Sequence, residues 1–229
     1  MLDKKKRVFY TELSYFAAII IMAFGAAFTE RAGFGMSMVV APAYILHLKV
    51  SELLPWFSFG VAEYFVQGFI VLLTAVIVRR FKISYLFSFV TAVIYGLLLD
   101  GAMLVVSFVP QNPLVFRIAW FIIGTLLCSI AVALFFKTYI SPESYELILK
   151  EISQKYSFNI NKVKTCYDCI STLIAIILSF VFFGFGTFRG VGIGTVICAL
   201  ANGFLIGRIS VLLDRLFIFK NKFDLEKYF

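Results

Sequence analysis

Apolar residues come in six long runs, at about 8–28, 53–78, 83–108, 114–136, 166–186 and 190–213, separated by short polar stretches. A helix needs about 20 mostly apolar residues to cross a bilayer core of roughly 30 Å, so each run predicts a membrane span. The runs form two triplets, about 8–108 and about 114–213, followed by a tail at 214–229. Three crossings per half oblige the second half to enter the membrane from the side opposite the first. The expected fold is all-α: a polytopic membrane protein of six transmembrane helices, arranged as two inverted three-helix repeats in a single membrane domain covering 1–229.

Each half also predicts a short linker helix between its first and second spans. In the first half, Gly33-Phe34-Gly35-Met36-Ser37 precedes an apolar segment from Met38 to Leu48 that contains Pro42. This segment is nearly uncharged and is expected to dip into the membrane from outside. In the second half, Ser141, Pro142 and Glu143 supply a cap, a first-turn proline and an acid, which is good helix-start chemistry. Tyr145, Ile148, Leu149, Ile152 and Tyr156 then form one apolar stripe, predicting an amphipathic helix in or near the inner interface.

Small residues recur every four positions in the third and sixth runs. Ser88, Ala92 and Gly96 lead to Asp100, and Thr195, Ala199 and Gly203 lead to Gly207, each pair offset by 107. Lys82 maps onto Arg189 by the same shift. Residues four apart share a helix face, and small stripes let backbones approach closely in lipid. The expectation is that spans three and six pack together near a pseudo-two-fold axis.

Composition agrees with a membrane protein: 62% of residues are hydrophobic and 15% charged, with 28 phenylalanines and 11 tyrosines. The formal net charge of +8 does not point to nucleic acid, because the bases are distributed by loop. With the N-terminus inside, 16 of the 21 basic residues fall on the inner side. They are Lys4, Lys5, Lys6, Arg7, Arg79, Arg80, Lys82, Lys137, Lys150, Lys155, Lys162, Lys164, Arg215, Lys220, Lys222 and Lys227. This is the positive-inside bias, and it places both termini in the cytoplasm.

Polar residues inside the apolar runs are the candidate site. Counting 1.5 Å per residue from the outer ends of the runs puts Glu63 about 15 Å deep and Asn202 about 18 Å deep, on spans two and six. Gln67 shares the face of Glu63. A carboxyl at that depth must be protonated, paired or turned to water, and so marks a pathway or a structural network. Asp100 and Arg117, near the outer ends of spans three and four, are within reach of an ion pair. Lys164 and Asp168, four apart on span five, stand close to Glu143 and form a gating or structural cluster.

Enzymatic chemistry finds no support. His47 is the single histidine, and no metal-ligand spacing or nucleophile–base set emerges. Cys166 and Cys169 form a C-x-x-C without βαβ context or a second ligand pair, and with Cys128 and Cys198 read as packing residues. Gly184, Gly186, Gly190, Gly192 and Gly194 crowd the turn before the last span, where no strand precedes them to make a nucleotide loop.

Gly35-x-Ser37 with Pro42 and Tyr44, then Gln67, Tyr95-Gly96-x-x-x-Asp100, Pro142-Glu143, Val163-Lys164-x-x-x-Asp168 and Gly194-Thr195-Val196-Ile197 resemble the YczE/YyaS/YitT-like bacterial membrane proteins. The resemblance covers about 13 to 210, with Met38 standing where a proline is expected. It implies a multi-pass protein of the bacterial inner membrane and supplies no substrate or catalytic residue.

The expected function is secondary transport of a small molecule, without a cofactor or metal. Glu63, Gln67, Asn202 and Asp100 are the candidate substrate-binding residues, and proton coupling through Glu63 is the simplest mechanism. The alternative is a membrane-embedded substrate-binding subunit or accessory protein. Expected partners are the lipid bilayer, an unknown small molecule, and a second copy or another membrane subunit.

Overall fold

The computed structural model describes residues 7–185 and 189–223; Lys4, Lys5, Lys6, Gly186 and Lys227 lie outside this range. Among the described residues, the chain runs β1 (Arg7–Tyr10), α1 (Thr11–Ala32), α2 (Ala41–Val50), α3 (Phe59–Val78), α4 (Ile83–Ser107), α5 (Leu114–Phe135), α6 (Ser144–Tyr156), α7 (Ile160–Phe183), α8 (Ile193–Leu216) and β2 (Phe217–Lys220). The helices α1, α3, α4, α5, α7 and α8 are long and apolar enough to span a membrane. The protein is a multi-pass membrane protein that sits in a lipid bilayer.

The first run begins later as a helix than its hydropathy suggests, because Arg7–Tyr10 form a strand instead. It pairs in parallel with Phe217–Lys220, Arg7 opposite Phe217 and Tyr10 opposite Lys220. The Glu12 carboxylate, one turn into α1, accepts from the backbone N–H groups of Lys222 and Phe223 and from the Tyr139 hydroxyl. Both ends of the described chain therefore lie at one end of the bundle.

The bundle is organised around a crossing of α1 and α5. A methyl group on Gly25 would lie 2.7 Å from Cys128 Sγ and 3.1 Å from the Gly124 carbonyl, and one on Gly124 would lie 2.7 Å from the Gly25 carbonyl. Only glycine lets these backbones meet. Around this crossing α4 packs on α1, α8 on α5, α3 on both α4 and α6, and α2 on α3 and α7.

Spans three and six, now α4 and α8, share no packed face. The stripe on α4 has other partners. Gly96 lies against Gly60 and Tyr64 of α3, and the Ser88 hydroxyl donates to the Pro142 carbonyl at 2.6 Å, while Ala92 is buried. On α8, Thr195 accepts from the Gly192 N–H at 3.1 Å, whereas Ala199, Gly203 and Gly207 are exposed, with nothing within 4 Å of a methyl placed on either glycine. A small stripe permits close approach but does not choose the partner, and here the crossing is made elsewhere.

Both linkers thread inward to the middle of the long helices. In the first, the Gly194 N–H donates to the Phe34 carbonyl and the Met36 N–H to the Gly190 carbonyl. Two residues on, Met38 has reached the centre of α7, where its carbonyl accepts from the Ser171 hydroxyl at 2.7 Å. The chain then turns back as α2. In the second, Thr91 and Ser88 of α4 donate to the Ser141 and Pro142 carbonyls, and the Ser144 N–H donates to Gln67 Oε1 on α3. Irregular backbone at this depth survives only where protein groups satisfy it, and these hydroxyls do so. The amphipathic helix expected at the interface is instead buried over Ser144–Leu149, because its apolar stripe fits between α3 and α7. Its far end is fixed where Lys155 donates to the Ile77 and Val78 carbonyls and Lys82 pairs with Glu151 at 2.7 Å.

Candidate functional site

The polar residues of the bundle converge where the inner tips of the two linkers meet. Helix α3 starts at Phe59 because Ser58 caps it: Ser58 Oγ accepts from the Val61 N–H, and Asp100 accepts from the Ser58 hydroxyl and the Gly60 N–H at 2.5 and 2.8 Å. Counted from Phe59, Glu63 lies about 6 Å along the helix, against the roughly 15 Å counted along the whole run, because residues 53–58 precede the helix. One turn on, Gln67 uses its whole amide. Its Nε2 donates to Glu63 Oε2 at 3.3 Å and to Glu143 Oε2 at 3.0 Å, and its Oε1 accepts from Ser144. Tyr145 closes the network by donating to Glu63 Oε2 at 2.9 Å.

Beside this network lies an enclosed cavity of about 50 Å³. Ser37, Val39 and Val40 of the first linker face Glu143, Tyr145 and Glu146 of the second across it. The walls come from Met22, Ala26 and Thr29 on α1, Tyr95 on α4, Cys128, Ser129 and Val132 on α5, Lys164 on α7, and Asn202 and Ile206 on α8. Lys164 pairs with Asp168 at 3.4 Å.

Buried polar groups are nearly always hydrogen-bonded, so exceptions mark a place. Among the described residues, the buried side-chain atoms without a partner are Glu63 Oε1, Tyr95 Oη, Glu143 Oε1, Ser144 Oγ, Glu146 Oε2 and Asn202 Oδ1. Tyr95, Glu143, Glu146 and Asn202 line the cavity, Glu63 is bonded to its wall residue Tyr145, and Ser144 is adjacent in sequence. The concentration is chemical, not statistical. An unmet need for hydrogen bonds is gathered at one point between the two halves.

A second, larger groove of about 960 Å³ runs between α3 and α7, floored by α6 and lined mostly by apolar side chains such as Phe69, Leu73, Ile152 and Ile174. Val39 and Tyr145 line both spaces and so form the partition between them.

The structure thus gathers Glu63, Gln67, Glu143, Lys164 and Asn202, with Asp168 behind Lys164. Asp100 and Arg117 are not part of this group and do not pair with each other. Asp100 caps α3, and the Arg117 guanidinium donates to the Ala32 and Gly33 carbonyls at 2.8 and 3.0 Å while covering Phe34, so each is absorbed by a helix end. Sequence reasoning missed Tyr95, Glu146, Ser37 and Ser129 as site residues. Glu146 reads as an ordinary first-turn acid of a surface helix, and no periodicity distinguishes it from the solvated acids.

Over residues 9–211 the chain matches the family of unknown function DUF6198, to which it belongs. Nothing in that match names the YczE/YyaS/YitT-like group. No curated protein and no solved structure matches the chain.

Proposed function

We propose that this DUF6198 member is a secondary carrier of a small molecule, not an enzyme, with its site at the cavity where the two linkers meet. The observation that carries the reading is the gathering of unpartnered buried polar atoms around one enclosed space. Polar residues inside a membrane domain are costly, and a binding or ion pathway is their usual purpose.

Two inverted repeats, at about 8–108 and 114–213, are part of the same reading. Exchanging α1 with α5, α2 with α6, α3 with α7 and α4 with α8 turns the α2–α7 packing into α6–α3, and the α1–α4 packing into α5–α8, while the α3–α4 packing has no α7–α8 counterpart among the described residues. The α1–α5 crossing maps onto itself. A site on such a pseudo-axis can be exposed to either side by rocking one half against the other. On this reading both termini face the cytoplasm of a bacterial cell, an orientation that the basic residues at the end where β1 and β2 pair support.

Proton coupling passes through Glu63, which faces Tyr145, Gln67 and the Glu143 carboxyl, with Glu146 and the Lys164–Asp168 pair beyond. Glu63→Gln keeps size and the Tyr145 bond but removes proton exchange. In proteoliposomes this variant should retain folding and lose the pH dependence of uptake. An unchanged pH profile assigns Glu63 a structural role.

A second reading, a membrane-embedded binding subunit, is favoured by the exposed faces of α7 and α8, which leave room for a partner. Purified protein that binds solute but moves none across a sealed bilayer decides for it.

A further inference from the structure

The polar atoms around the cavity are unequal in kind. Ionised, Glu63 Oε1, Glu143 Oε1 and Glu146 Oε2 are acceptors, as Asn202 Oδ1 is in any state, and Tyr95 and Ser144 contribute hydroxyls that serve either way. Most of the donors nearby are already engaged. Both Gln67 N–H groups go to Glu63 and Glu143, the Tyr145 hydroxyl goes to Glu63, and Lys164 is drawn to Asp168. Three of the first four amides of α6, which could otherwise attract an anion, are also spent: Ser144 donates to Gln67, and Glu146 and Leu147 donate to the Glu143 carbonyl. With the carboxyls ionised, an occupant that brings N–H or O–H donors meets them, and three carboxyl groups favour its positive charge against the one Lys164 ammonium of the wall, itself paired with Asp168.

Size and spacing narrow the class. The space of about 50 Å³ is well below the roughly 150 Å³ of a cavity that takes benzene, so it suits a small occupant. Among the described residues, no three acidic, histidine or cysteine side chains converge closely enough to ligate a metal ion directly. Donors on nitrogen reach acceptors at about 2.7–2.9 Å for charged pairs, and the neutral oxygens of Asn202 and Tyr95 serve them alongside the carboxylates.

We infer that the cavity binds ammonium or a small primary ammonium cation, held by Glu143, Glu146 and Asn202 with Tyr95 as a neutral oxygen ligand. This rests on the carrier reading's choice of site and names its ligand class. Glu143, Glu146 and Tyr95 are 2%, 8% and 0% exposed, so the acceptors are built into the core.

The test is the thermal unfolding midpoint of the full-length protein in detergent, titrated with ammonium, methylammonium or potassium chloride. A cation that binds only the folded state raises the midpoint with the logarithm of its concentration. Ammonium and methylammonium should do so, and potassium, similar in size and charge but without N–H, should not. Glu143→Gln should weaken ammonium about tenfold or more, the loss expected for one charge-assisted bond. Should that variant fold poorly, Tyr95→Phe removes a single oxygen and should weaken binding by a smaller factor. Equal midpoint shifts from potassium, a shift from sulfate instead, or an ammonium response unaltered in Tyr95→Phe and Glu143→Gln would each overturn the inference. Vesicle flux separates it from the broader reading: ammonium binding without flux retires the carrier alone, and flux of another solute without ammonium binding retires the ligand class alone.

Discussion

The second and third spans of the first half and their counterparts in the second half have similar hydropathy and live in different surroundings. In α3 and α4, 39% of the positions in each apolar window are buried; in α7 and α8 the shares are 17% and 11%. Yet α4 and α8 carry the same four-residue rhythm of small side chains. The difference lies in what faces the rhythm. Gly96 meets Gly60 backbone to backbone, with Tyr64 alongside, whereas on α8 only Gly194, Thr195, Cys198 and Ile206 are buried. A small stripe is thus a permission that a complementary glycine must take up.

The sharpest way to break this comparison is to fill the stripes. Gly96→Leu places a side chain where even a methyl group would lie 2.7 Å from the Gly60 carbonyl, and Gly60 is as tightly faced in return. Overpacking of this kind costs about 3 kcal/mol or more. Gly96→Leu and Gly60→Leu should lose most of their folded yield in size-exclusion profiles. Gly203→Leu and Gly207→Leu meet nothing and should change the unfolding midpoint little, within about 0.5 kcal/mol. Loss of fold in the α8 variants as well would show that its outer face is covered in the membrane, by a second copy or another subunit.

Helix starts give a smaller contrast. Asp100 accepts from the first turn of α3, while α8 has only the Thr195 hydroxyl accepting from Gly192. Asp100→Ala should cost about 2 kcal/mol and Thr195→Val about 1 kcal/mol, in the range for lost caps and buried bonds. Asp100→Asn keeps an acceptor and should recover much of the loss. If Asp100→Ala is neutral while ligand binding falls, the residue belongs with the site after all.

Much of the architecture is legible in the sequence for a simple reason. A bilayer sets a length, and a run of apolar residues meets it or does not. The linkers are legible as linkers, through Gly33, Gly35, Pro42 and Pro142, but not in their depth. Helices as short as α2 and α6 suit an interface as well as an interior. What decides is a set of single hydroxyls, Ser88, Thr91 and Ser171, each on a different part of another helix. The α1–α5 crossing escapes for a related reason. Gly25 and Gly124 are isolated glycines without a rhythm, and only the third dimension pairs them. At the site, Glu63, Gln67 and Asn202 stand out as polar residues in apolar runs. Tyr95 and Glu146 do not, since a tyrosine in a span and an acid in a first turn are both ordinary.

The smallest expected effect concerns Lys82 and Arg189, which stand before α4 and α8 at equivalent places in the proposed repeats. Lys82 makes two contacts with the Glu151 carboxylate, at 2.7 and 2.8 Å, and thereby ties α4 to α6. Arg189 instead covers the Phe183 ring at 5.1 Å, at the end of α7, and no ion pair joins it to another helix among the described residues. Half-exposed ion pairs contribute about 0–1 kcal/mol, but Lys82→Met also leaves Glu151 buried with Tyr85 as its remaining donor. Its cost should sit near the top of that range, about 1 kcal/mol, and Arg189→Met should cost less than about 0.5 kcal/mol. The double variant Lys82→Met, Glu151→Leu removes both charges and should be closer to wild type than Lys82→Met alone, because the penalty lies in the stranded carboxylate. Unfolding midpoints of the three variants, measured in one detergent, decide it. Equal losses at Lys82 and Arg189 would mean that the two halves hold their helices by the same means, and the contrast in packing would then have to come from α7 and α8 alone.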